Sequence, residues 1–292
     1  KVGKRHVRFG WLDFVEDENV LKALLETVEA WAKAKYAEYI HGPLGFSSFD
    51  ASGILIEGFN EIPTSFAHYN FPYYSQLIEK LGYKKEAEWI EYNVKVPAKL
   101  PERFLKGAAL IKNRYGLQSA VVRKKKDLLK YSDEVFNLLN REYEELYAFT
   151  ELTKLQVETL KEQFIPLLNL EYTSIILNRE GEVIAFGIAI PSLSKALQKS
   201  RGKLFPFGFL YINRALHKND TVDLLLIAIR KDFRRKGVNG IITNEIMYML
   251  IRNGIKNVET TRELQNNLNI SNLWGKLENR QHKKSLCYVK QL

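Results

Sequence analysis

The chain has 292 residues, 46% apolar and 27% charged, a globular composition with room for one large domain or two ordinary ones. No apolar run approaches the roughly 20 residues of a bilayer span, no charged-then-apolar leader follows Lys1, and the single cysteine, Cys287, cannot close an internal disulfide. The expectation is a cytoplasmic protein without a membrane partner, and its net charge of +10 sits in one place: residues 1–98 carry 11 Lys and Arg against 14 Asp and Glu, residues 99–292 carry 33 against 20.

In chain order, Val7–Val15 predicts a strand and Glu16–Lys35 a helix, with Val20, Leu21, Leu24, Leu25, Val28 and Trp31 at helical spacing and Asp17 or Asn19 as N-cap. Tyr39–Phe46 predicts a strand that breaks into a loop, and Ile54–Ile56 a short apolar segment. Gly58–Tyr74 is aromatic and loop-like, either a cover over the core or a wall of a substrate pocket. A helix over Ser75–Leu81 and a strand over Trp89–Val94 follow. Val94–Pro101 holds two prolines and no period, which marks a boundary between residues 1–98 and 99–292. Beyond it come helices at Glu102–Arg114, Asp127–Leu146 and Thr153–Phe164, with a strand at Ser119–Val122. Glu171–Leu177 and Val183–Ile190 form a hairpin, and Ser194–Gly202 is a short basic helix or loop. A helix over Asn272–Glu278 and a strand over Leu286–Val289 close the chain.

Val222–Val258 carries the strongest chemical signal. An apolar strand to Ile229 enters a turn with five cations and one acid between Arg230 and Lys236, then Gly237 and Gly240, then a helix over Ile241–Asn253 stopped by Gly254. A strand at Ile255–Val258 follows. Glycines let the backbone approach a ligand, and the amides and dipole of a helix start favour negative charge. The order predicts a site for a phosphate-bearing ligand. The helix start at Glu16–Asn19 is acidic and predicts none.

Residues 1–98 read β, α, β, α, β, which matches the last five elements of residues 99–292. The chain reads as a repeat of one α/β fold whose first copy lacks its opening elements. This order resembles the GNAT acyltransferase superfamily. The family's loop pattern, Gln or Arg, two residues, Gly, one residue, Gly or Ala, appears as Arg234-Arg-Lys-Gly237-Val-Asn239 followed by Gly240. Asn239 departs from the pattern, although Asn tolerates left-handed backbone. A second pattern, an Asn followed by a Tyr in a Leu-Tyr-x-Lys-Leu-Gly helix, appears as Asn267 and Leu273-Trp274-Gly-Lys-Leu277. In many members that Tyr protonates the leaving thiolate, and Trp274 has no ionisable hydroxyl. The first half holds the closer form, Leu77-Ile-Glu-Lys-Leu-Gly-Tyr83, but no glycine loop.

The resemblance implies two GNAT-like domains, each a mixed sheet flanked by helices: a degenerate, partial copy over 1–98 and a copy over 99–292 with the acyl-CoA loop. It implies an acyl-CoA co-substrate, acetyl-CoA first among them, no metal, and direct attack by an amine of a small molecule or peptide. The implied cofactor contacts are Ile229, Arg230, Arg234, Arg235, Lys236, Gly237, Val238, Asn239, Gly240 and Asn267, with the backbone amides of Arg235–Gly240 on the pyrophosphate. Transfer needs a base for the ammonium and an acid for the thiolate. Asp223 and Glu259 are candidate bases and Tyr288 a candidate acid, and each also reads as a structural residue. The other readings are a degenerate fold that binds CoA or a partner without catalysis, and a basic nucleic-acid binder, for which no motif is visible. The five histidines show no metal-ligand spacing with each other or with Cys287, and neither a Gly-x-Ser-x-Gly elbow nor a Walker loop is present.

Overall fold

The computed structural model describes residues 5–47, 49–266 and 277–292. In chain order these form β1 (His6–Arg8), α1 (Glu18–Ala34), β2 (Tyr39–Gly42), β3 (Ile54–Glu57), α2 (Tyr73–Lys80), β4 (Lys84–Lys95), α3 (Glu102–Tyr115), β5 (Gln118–Ser119), α4 (Lys125–Tyr143) and α5 (Lys154–Phe164). They continue with β6 (Thr173–Leu177), β7 (Val183–Pro191), α6 (Ser194–Ser200), α7 (Gly208–His217), β8 (Thr221–Ile229), α8 (Val238–Arg252), β9 (Asn257–Thr260), β10 (Glu263–Leu264) and β11 (Asn279–Gln291).

The described strands make one mixed sheet in the order β1-β2-β11-β4-β9-β8-β7-β6-β5, with β10 on β4 and β3 on β11. Two pairs are parallel, β1–β2 and β8–β9, each joined through one helix, α1 or α8. Such a crossover is what a parallel pair requires. Each parallel pair is then flanked by the other half's last strand. β4, which ends the first half, lies against β9, and β11, which ends the second, lies against β2. β4 and β11 pair with each other between them, from Asn279↔Val94 to Val289↔Lys84. The cut at 98/99 therefore divides the chain without dividing the sheet.

Apolar clusters on both sides of the sheet hold the layers. α1 and α2 seat Leu21, Leu25, Leu77 and Ile78 against Ile40, Leu286 and Tyr288. α8 buries Ile241, Ile242, Met247 and Leu250 on one face of the second half, against Val94, Val222 and Val258. α4 covers the opposite face, with Leu128, Leu138 and Leu139 on Ile175, Phe186 and Ala228. Each fully buried Leu or Ile contributes about 1.5–3 kcal/mol.

Asp17 is the cap of α1, its carboxylate accepting from Asn19 N at 2.8 Å. Several elements differ from expectation. The first strand stops at Arg8 rather than Val15, because Trp11 takes a left-handed φ of 49° and turns the chain away. The strand predicted at Ser119–Val122 is β5, Gln118–Ser119. A second helix, α7, follows the basic segment after β7. The last strand begins at Asn279, not Leu286, because its polar residues find charged partners: Arg280 with Glu61, His282 with Glu259, Lys283 with Glu91 and Lys284 with Glu88. The helix expected at Asn272–Glu278 lies mostly outside the described residues.

Candidate active site

β8 carries one residue more than its neighbour. Ile188 pairs with Leu226 and Ala189 with Leu224, so Leu225 is an unpaired bulge. On its other edge β8 pairs with β9 only as far as Leu224↔Thr260. Thr261 N still reaches Leu224 O at 3.3 Å, and beyond that no described strand pairs with the Leu225–Ile229 edge on this side. The sheet splays open at the bulge.

β8 then feeds the basic turn. Gly237 is the N-cap of α8 at φ 81° and ψ 8°, and no side chain caps the helix there. That left-handed conformation suits glycine. A Cβ at this position would come within 2.6 Å of Ile111 Cδ1. The structure sorts the turn's cations. Arg230 is bonded to Asp232 and Glu182, Lys231 to Glu145, and Arg234 to the buried Glu142 at 2.6 Å. Arg234 also donates to the carbonyls of Ile229 and Glu142, so it ties the turn to α4. Lys236 lies over the rings of Tyr115 and Phe233. Arg235 is exposed and makes no ion pair with a described residue.

A cavity of about 1020 Å³ reaches from this turn along the face of β6, β7 and β8 that lies under α4 and α5. Ile229, Arg234, Arg235, Val238 and Asn239 line it, as does the whole of β8 from Leu224. Its main body is apolar, with Leu128, Val135, Phe136 and Leu139 of α4 and Leu160 and Phe164 of α5. Its other end is polar and includes Arg8, Glu91 and Arg262. Small-molecule sites run to about 1,000 Å³, so this one stands at the upper end. The aromatic segment divides between its two readings. Thr64, Phe66 and Ala67 line the cavity, with Phe66 stacked on Phe164 at 5.8 Å, whereas Tyr73 and Tyr74 pack on Phe14.

A buried charged cluster adjoins this polar end. Asp223 pairs in register with Glu259, and Glu259 with Asn93, which puts all three on one face. Asp223 is fully buried and neither carboxylate oxygen has a well-formed hydrogen bond. Burial pushes its pKa up, the Ser192 hydroxyl opposes this, and the charge of Glu259 adds to the rise, to about 7. Glu259 goes the other way. Burial raises it, but His282 and Asn93 prevail and hold it below the usual carboxylate range. His282 Nε2 lies 2.8 Å from Glu259 and its Nδ1 3.3 Å from Glu61. Lys283 lies 3.2 Å from Glu91, the carboxylate that borders the cavity, and 3.9 Å from Glu259.

Of the three residues expected to serve catalysis, the structure brings Asp223 and Glu259 together and leaves Tyr288 apart. Tyr288 is buried in the first half's core and donates to Glu79 at 3.0 Å. It stands six residues beyond His282 on β11, about 20 Å along an extended strand. Asn267, Trp274 and the motif around them as far as residue 276 lie outside the described residues. His282, Lys283, Glu91 and Glu61 belong to the cluster and escape a sequence reading, because β4, β9, β11 and the 58–70 segment meet only in the fold. The same long-range pairing sets His41, Glu86 and Cys287 within 4.8 Å of one another, which their spacing conceals. The Tyr147 hydroxyl sits among them, 2.9 Å from His41 Nδ1 and 2.5 Å from Glu86.

A mixed sheet that opens beside a bulged strand, with a glycine-started helix below the opening, is the GNAT fold, and this chain has it. A tandem GNAT protein from the clavulanic acid biosynthesis pathway is similar at a TM-score of 0.51 and 9% identity, over 99% of this chain and 76% of that one. Protein YghO of Escherichia coli K12 is 24% identical over 311 residues, spanning 100% of this chain and 76% of its own length. The bacterial ceramide synthase of Caulobacter vibrioides is 26% identical over 212 residues, 71% of this chain and 53% of that protein. No family model matches the chain.

Proposed function

We propose that this protein is an acyl-CoA-dependent N-acyltransferase and that at least one of its substrates carries a long hydrocarbon chain. The observation behind this reading is the continuity between the turn before α8 and the large apolar cavity. The CoA pyrophosphate lies at the Gly237 turn, with Arg235 and Lys236 beside it. The pantetheine arm follows the edge of β8 past Leu225, where no described strand pairs and where the Leu225, Ile227 and Ile229 carbonyls, which accept from Thr261, Tyr143 and Arg234, each keep a second lone pair for its amides. The thioester then faces the polar end of the cavity and an acyl chain fills the apolar part. An acetyl group would leave that space empty, so within the acyl-CoA class expected from the sequence this reading favours a long-chain donor over acetyl-CoA. A ceramide is an amide between a fatty acyl group and a long-chain amine, so the name of the Caulobacter relative agrees with this chemistry.

In this reading the amine nitrogen attacks the thioester carbonyl, the C–S bond breaks and CoA leaves as the thiolate. The ammonium proton passes to the buried carboxylates. Asp223, with its pKa near 7, is the base suited to neutral pH. Residues 1–98 and 99–292 are two copies of one unit, and the second holds the cofactor.

Calorimetry with acetyl-, octanoyl- and palmitoyl-CoA tests the donor. Each buried methylene adds about 0.8 kcal/mol. Affinity is expected to rise at least tenfold from the shortest to the longest thioester, even if only a few methylenes are fully buried. Equal affinities would take the acyl chain out of the cavity. Absence of binding at millimolar concentration would remove the cofactor altogether.

A further inference from the structure

We propose that the segment between β7 and β8, which contains α6 and α7, docks the protein on the surface of an anionic phospholipid bilayer. Residues 183–219 contain six Lys and Arg and no Asp or Glu. Of the six, Lys195 is bonded to Asp220, whereas Lys199, Arg201, Lys203, Arg214 and Lys218 are exposed and make no ion pair with a described residue. Within this cationic field Leu204, Phe205, Phe207, Phe209 and Leu210 are exposed, Phe205 at 74% and Phe207 at 62%. Every residue from 201 to 207 is exposed. Five large apolar side chains in seven positions, left in water, are a patch that needs a partner. The ring of cations without acids fits negatively charged headgroups, and the phenylalanines fit the acyl boundary below them.

The location gives the docking a purpose. The segment leaves the sheet at Ser192 and returns at Thr221, and the Ser192 hydroxyl is close enough to Asp223 to lower its pKa. A protein held there has its buried carboxylates rooted at the membrane side, where an amphipathic amine resides. No described helix is long and apolar enough to cross a membrane, so this contact is interfacial. It departs from the expectation of no membrane partner. It stands independently of the acyltransferase reading, because vesicle binding requires no turnover.

The test is flotation of the full chain with vesicles of phosphatidylcholine, alone or mixed with phosphatidylglycerol. Binding is expected only with the anionic lipid, with release at about 0.5 M salt, where the Debye length is only a few ångströms. Phe205→Ser with Phe207→Ser is expected to weaken binding at least tenfold, roughly the effect of a few buried methylenes. Lys199→Gln, Arg201→Gln and Lys203→Gln together are expected to weaken flotation with the anionic vesicles at low salt by at least tenfold, with the thermal unfolding of both variants unchanged. Failure of the native chain to float overturns the proposal, as does equal flotation of both variants. Sedimentation supplies the remaining outcome: a native dimer that the two Phe substitutions convert to monomer would show that a second copy covers the patch.

Discussion

Asp223→Asn is expected to slow N-acyl transfer at pH 8 by a factor of about 10²–10⁴ while making the protein more stable. Both effects have one origin, a fully buried carboxylate with no well-formed hydrogen bond. Its pKa rises from 3.8 to about 7 on folding. Between those values the native state holds a proton that the unfolded chain has lost. Stability from this group is therefore complete below pH 4, falls as pH rises towards 7, and is level above that. A rise of that size corresponds to at most about 4 kcal/mol. The amide of Asn needs partners of its own, so a net gain of about 1 kcal/mol at pH 8 is the reasonable expectation. The native rate should rise with pH through about 7 as the base ionises, and the variant should lack that limb. Melting curves at pH 5 and 8, with pH–rate profiles of both proteins, check the pair of effects. A variant that keeps the native rate and limb would leave Asp223 without a part in proton transfer.

Gly237→Val is expected to lower CoA affinity by at least about 100-fold, or some 2.8 kcal/mol. Valine at φ 81° is strained, costing about 1–2 kcal/mol before any clash. Its Cβ would also meet Ile111 Cδ1 on α3 at 2.6 Å. The Ile111 tip can give way, but the strain at φ 81° falls on the turn itself and on the first amides of α8, whose direction is what holds a phosphate. Calorimetry with CoA on the folded variant reads the result. Gly237→Ala serves as the milder substitution should valine prevent folding. Native affinity in either folded variant would place the pyrophosphate elsewhere.

The second half's central stretch is legible in the sequence because its information is local. An apolar run, a cation-rich turn, Gly237 and the stop at Gly254 dictate β8, the turn and α8 without help from distant residues. The charge of that turn is less legible. Three of its five cations are neutralised by Glu142, Glu145, Glu182 and Asp232, and the first three of these lie on α4, just after it, or in the β6–β7 hairpin. The buried cluster is hidden altogether. His282 and Lys283 sit in a polar run that looks like a loop, and only pairing with β4 makes it a strand with charged partners. The cavity is equally non-local, since its walls come from α4, α5, β8 and Phe66. Asp223 could be named from sequence because it is one acid in an apolar strand, but its pKa depends first on burial and then on Ser192 and Glu259, which only the fold brings to it.

The exchange of β4 and β11 has a consequence for how the chain is made. During synthesis residues 1–98 emerge while β2 still lacks its neighbour β11, which follows every other described strand in the chain. Until then β2 presents an unpaired edge, the kind of surface that recruits other chains. Closing it requires residues near 40 to meet residues near 290, across most of the described chain. That loop entropy must be overcome before the last pairings return anything, which makes the closing step slow and late. Neither half can therefore finish folding ahead of the other, and the β4–β11 seam commits both together.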